Sequence, residues 1–147
     1  MWSNFGMSAE QSFQTLKHFF ETRVAADQAL RYLNPAAEIG IVIGDSIECA
    51  LSYRNGKPHL EDRAAENPDF SFSIRPETVV VLNDRTKDDI ADIAANVLKE
   101  MVAGNIGMKM IASPLTILKH GYLEIIRLTS QGVTVPKILS AIKSLKT

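Results

Sequence analysis

Cysteine is almost missing from this chain: Cys49 is the single one among 147 residues. No intrachain disulfide can form, no Cys/His cluster has zinc-ligand spacing, and a reducing compartment, with the cytoplasm as default, is expected. Long apolar runs are missing too. Nowhere do eighteen apolar residues pass uninterrupted, and Met1 to Phe20 lacks a basic opening followed by a hydrophobic stretch, so membrane spanning and secretion are disfavoured. Neither sign of charge dominates: 16 basic against 17 acidic side chains leave −1, so no global basic field draws nucleic acid and no acidic excess keeps the chain unfolded. The charge is nonetheless uneven. Residues 1–98 hold nine Lys and Arg against fifteen Asp and Glu, a net of −6, and residues 99–147 hold seven against two, a net of +5.

Hydrophobic residues make up 46% of the chain, and a domain of this length buries roughly 68 to 70% of its unfolded surface, enough for one core without staples. Ser8 and Gln11 stand at capping-box spacing before Phe13, Leu16, Phe20 and Val24, which predicts an amphipathic helix running with Leu30 to about Leu33, where Asn34-Pro35 stops it. The period then becomes two. Ile39, Ile41 and Ile43, then Ile47, Cys49, Leu51 and Tyr53, predict strands joined by a two-residue turn at Gly44-Asp45, and Asn55-Gly56 leads to a third antiparallel strand from Pro58 to about Arg63. After the loop Ala64 to Pro68, Phe70, Phe72 and Ile74 alternate with Ser71, Ser73 and Arg75 as a fourth strand, leaving one sheet face apolar and the other polar and wet.

Pro76 to Leu82 reads as a short helix with proline at its first position, although its Val-Val-Val run fits an extended segment equally well. A helix from Thr86 follows, with Ile90, Ile93, Ala94, Val97, Leu98, Met101 and Val102 on one stripe and Gly104 as its stop. Ile106, Met108 and Met110 predict a fifth strand, Ser113-Pro114 opens a Leu- and Ile-rich helix, and Pro136 opens a last one carrying Ile138, Leu139, Ile142 and Leu145 on one side. The class is α+β.

Catalytic constellations are scarce. His18, His59 and His120 have no acid, nucleophile or second histidine beside them in sequence, and general acid–base chemistry needs such neighbours. Cys49 falls on the apolar side of its strand with no cation to lower its pKa, as expected of a small buried hydrophobe. Asp84, Asp88, Asp89 and Asp92 lack the glycine and terminal glutamate of an EF-hand and fit a helix start. Gly104 to Lys109 lacks the Gly-Lys-Ser/Thr of a phosphate loop, and Lys99, Lys109, Lys119, Arg127, Lys137, Lys143 and Lys146 have little aromatic interleaving, against nucleic-acid binding. Some of these cations could meet anionic headgroups or phosphate. No metal, cofactor or enzyme activity is expected. Met101, Met108 and Met110 bring adaptable side chains to the junction of the long helix and the late strand, suited to a core or to a ligand cavity.

The order of elements from Phe13 to Ile126 resembles the type-two sterol carrier protein family, the sterol-binding domain. The resemblance lies in the N-terminal helix, the meander Ile39 to Arg63, the segment Asn67-Pro68-Asp69-Phe70-Ser71-Phe72-Ser73-Ile74, and the helix leading into Met101-Val102-Ala103-Gly104-Asn105-Ile106-Gly107-Met108-Lys109-Met110. It implies a five-stranded, largely antiparallel sheet covered on one face by helices and enclosing an apolar tunnel. The implied function is non-enzymatic binding or transfer of a fatty acid, acyl-CoA, sterol-like lipid or isoprenoid quinone lipid. Peroxisomal members end in Ser-Lys-Leu-like signals, whereas this chain ends Ser144-Leu145-Lys146-Thr147, so a bacterial or cytosolic relative is expected. The lipid-binding domain is expected over 1–132, with 133–147 an amphipathic extension. Expected lining residues are Ile47, Cys49, Phe72 and Ile74 on the sheet, Val97 and Met101 on the long helix, Met108 and Met110 on the late strand, and Leu115 and Leu118 on the closing helix. The rival is an interaction module with a closed core that uses its C-terminal helix or an apolar patch to bind a partner protein or self-associate; that helix is expected to dock on its own domain, on a second subunit as a homodimer, or on an anionic membrane.

Overall fold

The computed structural model describes residues 8–83 and 89–130. Asp84, Asp88, the expected helix start at Thr86, and the extension 133–147 with its helix from Pro136 lie outside them.

Helix α1 spans Ala9–Thr22, and its capping box forms: Gln11 N–H donates to Ser8 Oγ and Ser8 N–H donates back to Gln11 Oε1, both at 3.1 Å. Phe13, Leu16 and Phe19 are its buried apolar face. The expected continuation to Leu33 is broken at Arg23, which is extended (φ −74°, ψ 130°) and separates α1 from α2, Val24–Leu30. The break has a partner far along the chain. Arg23 Nη2 donates to the carbonyl of Asn83 at 2.9 Å while its guanidinium lies 5.0 Å from the Phe19 ring centre. The helical phase is reset there, so Val24, expected on the inward stripe, is 70% exposed, and Ala25, Ala26 and Leu30 are buried instead.

Strands β1 (Ile39–Ile43), β2 (Ile47–Arg54) and β3 (Lys57–Glu61) form the expected antiparallel meander. Ile43 pairs with Ile47, so the first connection is the three-residue loop 44–46 rather than a two-residue turn. Asn55 and Gly56, between paired Arg54 and Lys57, have φ of 55° and 77°, the two positive angles that a tight turn of the hairpin hand requires. β4 (Phe70–Ile74) does not extend the meander at its edge. It lies parallel to β1, and β5 (Ile106–Met110) pairs antiparallel with it, giving the mixed order β3-β2-β1-β4-β5. Helices α3 (Pro76–Leu82) and α4 (Ile90–Val102) lie between β4 and β5, and α5 (Pro114–Lys119) and α6 (Tyr122–Ser130) follow. The one helix expected after Ser113-Pro114 is thus two, parted at Gly121, where φ is +92° and a Cβ would stand 2.0 Å from the Tyr32 carbonyl oxygen. Only glycine fits there.

The pairings place Leu60, Leu51, Ile39, Phe70 and Met110 in one row across the sheet, and Cys49, Ile41, Phe72 and Met108 in the next. These rows and the inner faces of α1, α2, α3 and α4 make one core. The outer stripe of α4 is narrower than its spacing suggests: Leu98 and Val102 are exposed. The opposite sheet face carries Ser73, Gly107 and Lys109 exposed, as expected, but it is not wet throughout. The loop 62–69 crosses over Gly40, setting Ala65 and Pro68 against it, and Gly40, Ala50 and Ser52 are buried. Glu38 holds that loop, pairing with Arg63 and with Arg54 Nη2 (3.1 Å) and accepting from Glu66 N–H (3.0 Å). At the other margin Leu60 on edge strand β3 has its N–H taken by Glu21 Oε2 and its carbonyl by Lys17 Nζ, each at 3.0 Å.

The hydrogen bond from Arg63, then that from Glu66 N–H and the charge of Arg54, outweigh burial and hold the Glu38 carboxyl below its ordinary value of 4.5. A carboxyl depressed by folding adds stability above its unfolded pKa and loses it as pH falls through the folded value. Glu38→Gln should therefore lower the melting temperature near pH 7 and flatten its decline below about pH 4.5. Thermal melts of both proteins from pH 3 to 7 check this, and parallel curves would remove Glu38 from the acid response.

Candidate functional site

The apolar sheet face is unevenly covered. Over β1 to β3 it is sealed: Ile43, Cys49, Leu51 and Leu60 are buried under the helices. Toward β5 the cover loosens. Phe72, Met108 and Met110 are only half-buried, as are Val97 of α4 and Ile125 of α6, and all five pack against the core cluster. Phe72 sits between Ile41 and Met108 in the register, and Met110 lies beside Phe70, whose ring is 6.3 Å from that of Phe72. A strip of half-exposed aromatic and thioether side chains thus runs from the sealed core to the β4–β5 margin.

Eight of the ten expected lining residues belong to the core or pack on it: Cys49, Ile74 and Met101 are buried, and Ile47, Phe72, Val97, Met108 and Met110 are half-buried against them. The two on α5 stand apart from these. Leu115 is 61% exposed and Leu118 53%, whereas Ile117 between them is the residue turned inward. A six-residue helix buries one narrow side, and that side is taken by Ile117. Cavities also open elsewhere among the described residues. One of about 70 Å³ lies under the loop 62–69, bordered by Gly40, Val42, Ala65, Pro68 and Ser71 and touching Cys49. Another, about 360 Å³, is bordered by Gln28, Arg31, Tyr32 and Ile90.

Titratable groups add no reactive centre among the described residues. The Cys49 thiol donates to the Ile41 carbonyl at 3.4 Å, and burial, with Asp62 assisting, pushes it up to about 12, so it stays a neutral thiol. No three His, Cys, Asp or Glu side chains of the described residues converge on a metal position. Asp89 precedes α4 and Asp92 lies in its first turn, the helix-start role expected of them.

One cluster escaped the sequence. Asp69, 2% exposed at the entrance to β4, has its Oδ2 2.7 Å from His120 Nδ1 and accepts from the Tyr122 hydroxyl at 2.9 Å. Burial first, and then Asp69, push the Tyr122 phenol far above its ordinary range, so it donates at any working pH. The Asp69 carbonyl accepts from Ile111 N–H (2.9 Å) and Ala112 N–H (3.1 Å), and its own N–H donates to Glu38 (2.8 Å). His120 therefore has an acid partner, 51 residues away. Sequence spacing cannot show such a pair, although Asn67-Pro68-Asp69 marks the chain reversal that delivers it. All of these bonds but the one to Glu38 tie the flanks of α5 to the sheet, which makes the cluster a positioning device.

Tyr122→Phe keeps the ring that packs edge-on to Phe70 at 5.0 Å and removes the hydroxyl. It should cost about 1 to 3 kcal/mol, the span for leaving a buried polar group short of a partner. Urea unfolding of both proteins measures this, and an unchanged midpoint would mean that His120 alone satisfies the carboxyl.

No family model and no curated protein matches the chain. Its backbone is similar to solved structures that include the following three. A protein described as UbiJ-SCP2 ubiquinone synthesis protein is 12% identical, with 80% of this chain and 91% of that one covered and a TM-score of 0.47. The sterol carrier protein domain 2 of Helicoverpa armigera is 17% identical over 83% and 87%, with a TM-score of 0.43. The apo form of sterol carrier protein 2 from Yarrowia lipolytica is 10% identical over 84% and 94%, with a TM-score of 0.38.

Proposed function

We propose that this chain binds a hydrophobic lipid ligand without acting on it chemically. The observation that supports this is the loosened cover over Phe72, Met108 and Met110, where an otherwise sealed apolar sheet face comes to the surface beside Val97 and Ile125. A ligand entering there displaces flexible methionines rather than a rigid seal, and thioether side chains repack at small cost. The lining on this proposal is Phe72, Val97, Met101, Met108 and Met110, with Ile47, Cys49 and Ile74 deeper in the same core. The binding unit is residues 1–132, with 133–147 its extension.

The ligand class is a hydrophobic lipid: a fatty acid, an acyl-CoA, a sterol-like lipid or an isoprenoid quinone lipid. Burying about sixteen methylenes at roughly 0.8 kcal/mol each is worth about 13 kcal/mol gross, enough to offset the ordering costs of association and leave useful affinity.

Met108→Trp tests the site. A ring in ligand space should abolish uptake of a fluorescent fatty acid while moving the melting temperature little; in a solid core it would overpack and cost about 1 to 3 kcal/mol of stability. Titration and thermal melt on one preparation separate the two. A strongly destabilised variant would take Met108 out of the site, and a stable variant with undiminished uptake would place the ligand elsewhere. Wild-type protein that carries no lipid in native mass spectrometry and takes up no fluorescent fatty acid would overturn the function itself.

A further inference from the structure

Helix α5 turns its two leucines outward. Leu115 and Leu118, three residues apart and so on one side of the helix, are exposed together with Ile111, itself 49% exposed, just before it. Two large apolar side chains outside on a six-residue helix would be an ordinary surface irregularity if that helix were loosely held. It is held at both ends by one buried residue. The Asp69 carbonyl takes the N–H groups of Ile111 and Ala112 on the entering side, and the Asp69 carboxyl takes His120 and Tyr122 on the leaving side. Ser113 caps the helix, accepting from Thr116 N–H at 3.2 Å, Asn34 N–H donates to the His120 carbonyl, and Ile117 anchors the inner side. The result is a rigid knuckle with an apolar tip.

Its charge has one sign. From Met101 to Leu123 the chain contains no Asp or Glu, and along it the exposed Lys109 precedes Ile111 by two residues and the exposed Lys119 follows Leu118; Lys119 is four residues from Leu115, on the same side of α5. Neither lysine has an ion-pair partner among the described residues. An exposed apolar tip flanked by cations, with the Asp69 carboxyl buried behind it, suits an interface in which hydrocarbon lies just beneath anionic groups.

We propose that α5 is a membrane-docking knuckle: Ile111, Leu115 and Leu118 enter the headgroup–acyl boundary of an anionic bilayer, and Lys109 and Lys119 meet its headgroups. The contact is distinct from the proposed ligand strip, since Leu115 and Leu118 stand outside the core that contains Phe72 and Met108.

Co-sedimentation of the full chain with phosphatidylcholine vesicles, alone or mixed with phosphatidylglycerol, tests it. Wild-type protein should bind the mixed vesicles, bind the neutral ones far less, and dissociate as salt rises through the range where the Debye length falls below about 8 Å. Leu115→Ser with Leu118→Ser should reduce binding by about tenfold or more, since two leucines lose their burial. It should leave the melting temperature and fatty-acid uptake in vesicle-free solution unchanged. Lys109→Gln with Lys119→Gln, a second variant that touches no packing, should erase the preference for anionic vesicles. Absence of vesicle binding by the wild type would overturn the proposal. So would a leucine variant that binds as well as wild type, which would put any membrane contact elsewhere in the chain, including 133–147. A leucine variant that loses fatty-acid uptake in solution would return these residues to the ligand site, and one that turns a dimer into a monomer would make the patch a contact between two copies; either result overturns it.

Discussion

Asp69 is where three separate parts of the chain are made to agree. Its main chain joins the strand that leaves Glu38 to the segment that ends β5, and its carboxyl reaches the junction of α5 and α6. A carboxyl at this depth is costly to bury unless its lone pairs are used. Here the partners come from residues more than fifty positions downstream, so the cost is met only when the last helices are in place. The local conflict between burial and polarity thereby enforces a global arrangement, which explains why a polar residue sits among Phe70, Tyr122 and the ends of two strands.

A second constraint is the asymmetry of the sheet's cover. Helix α1 lies along β3 and closes the β1–β3 half, and α4 approaches β5. The polar face is closed in part by the loop 62–69, which Glu38 fastens down through Arg54, Arg63 and the Glu66 amide. Cover is thus firm where β1 to β3 meet and looser where β4 and β5 meet. Packing of this kind concentrates adaptability at one margin and leaves the rest of the core stiff, so a hydrophobic guest there would not require the whole domain to yield.

What the sequence made legible was local. The Ser8–Gln11 capping box, the alternation in β1, β2, β4 and β5, the Asn55-Gly56 turn and the Ser113-Pro114 start each rest on residues within a few positions of one another, and each is present. What it hid was non-local. Arg23 breaks the first helix toward Asn83, sixty positions away, and β4 enters beside β1 because a period-two pattern states which face is apolar without naming the neighbouring strand. Leu98, Val102, Leu115 and Leu118 show the same limit from the other side. Helical spacing says which residues share a face, but the width of the contact decides how many are buried. The strip formed by Phe72, Met108 and Met110 was half visible: alternation put these residues on one face, and only the strand order shows that they adjoin at the less covered margin.

The treatment of β3 bears on how the chain behaves before it is finished. As one of the two edge strands it would offer free backbone groups to any passing segment, and at Leu60 those groups are occupied by the side chains of Glu21 and Lys17 from α1. The guard is supplied by a separate element that must already be docked. The meander β1–β3 forms from neighbouring residues through short turns, so during synthesis or partial unfolding it can exist with its margin unguarded whenever α1 is detached. Loss of α1 docking would then favour strand-to-strand self-association over clean reversible unfolding, because the Lys17 and Glu21 side chains that occupy the edge at Leu60 leave with the helix.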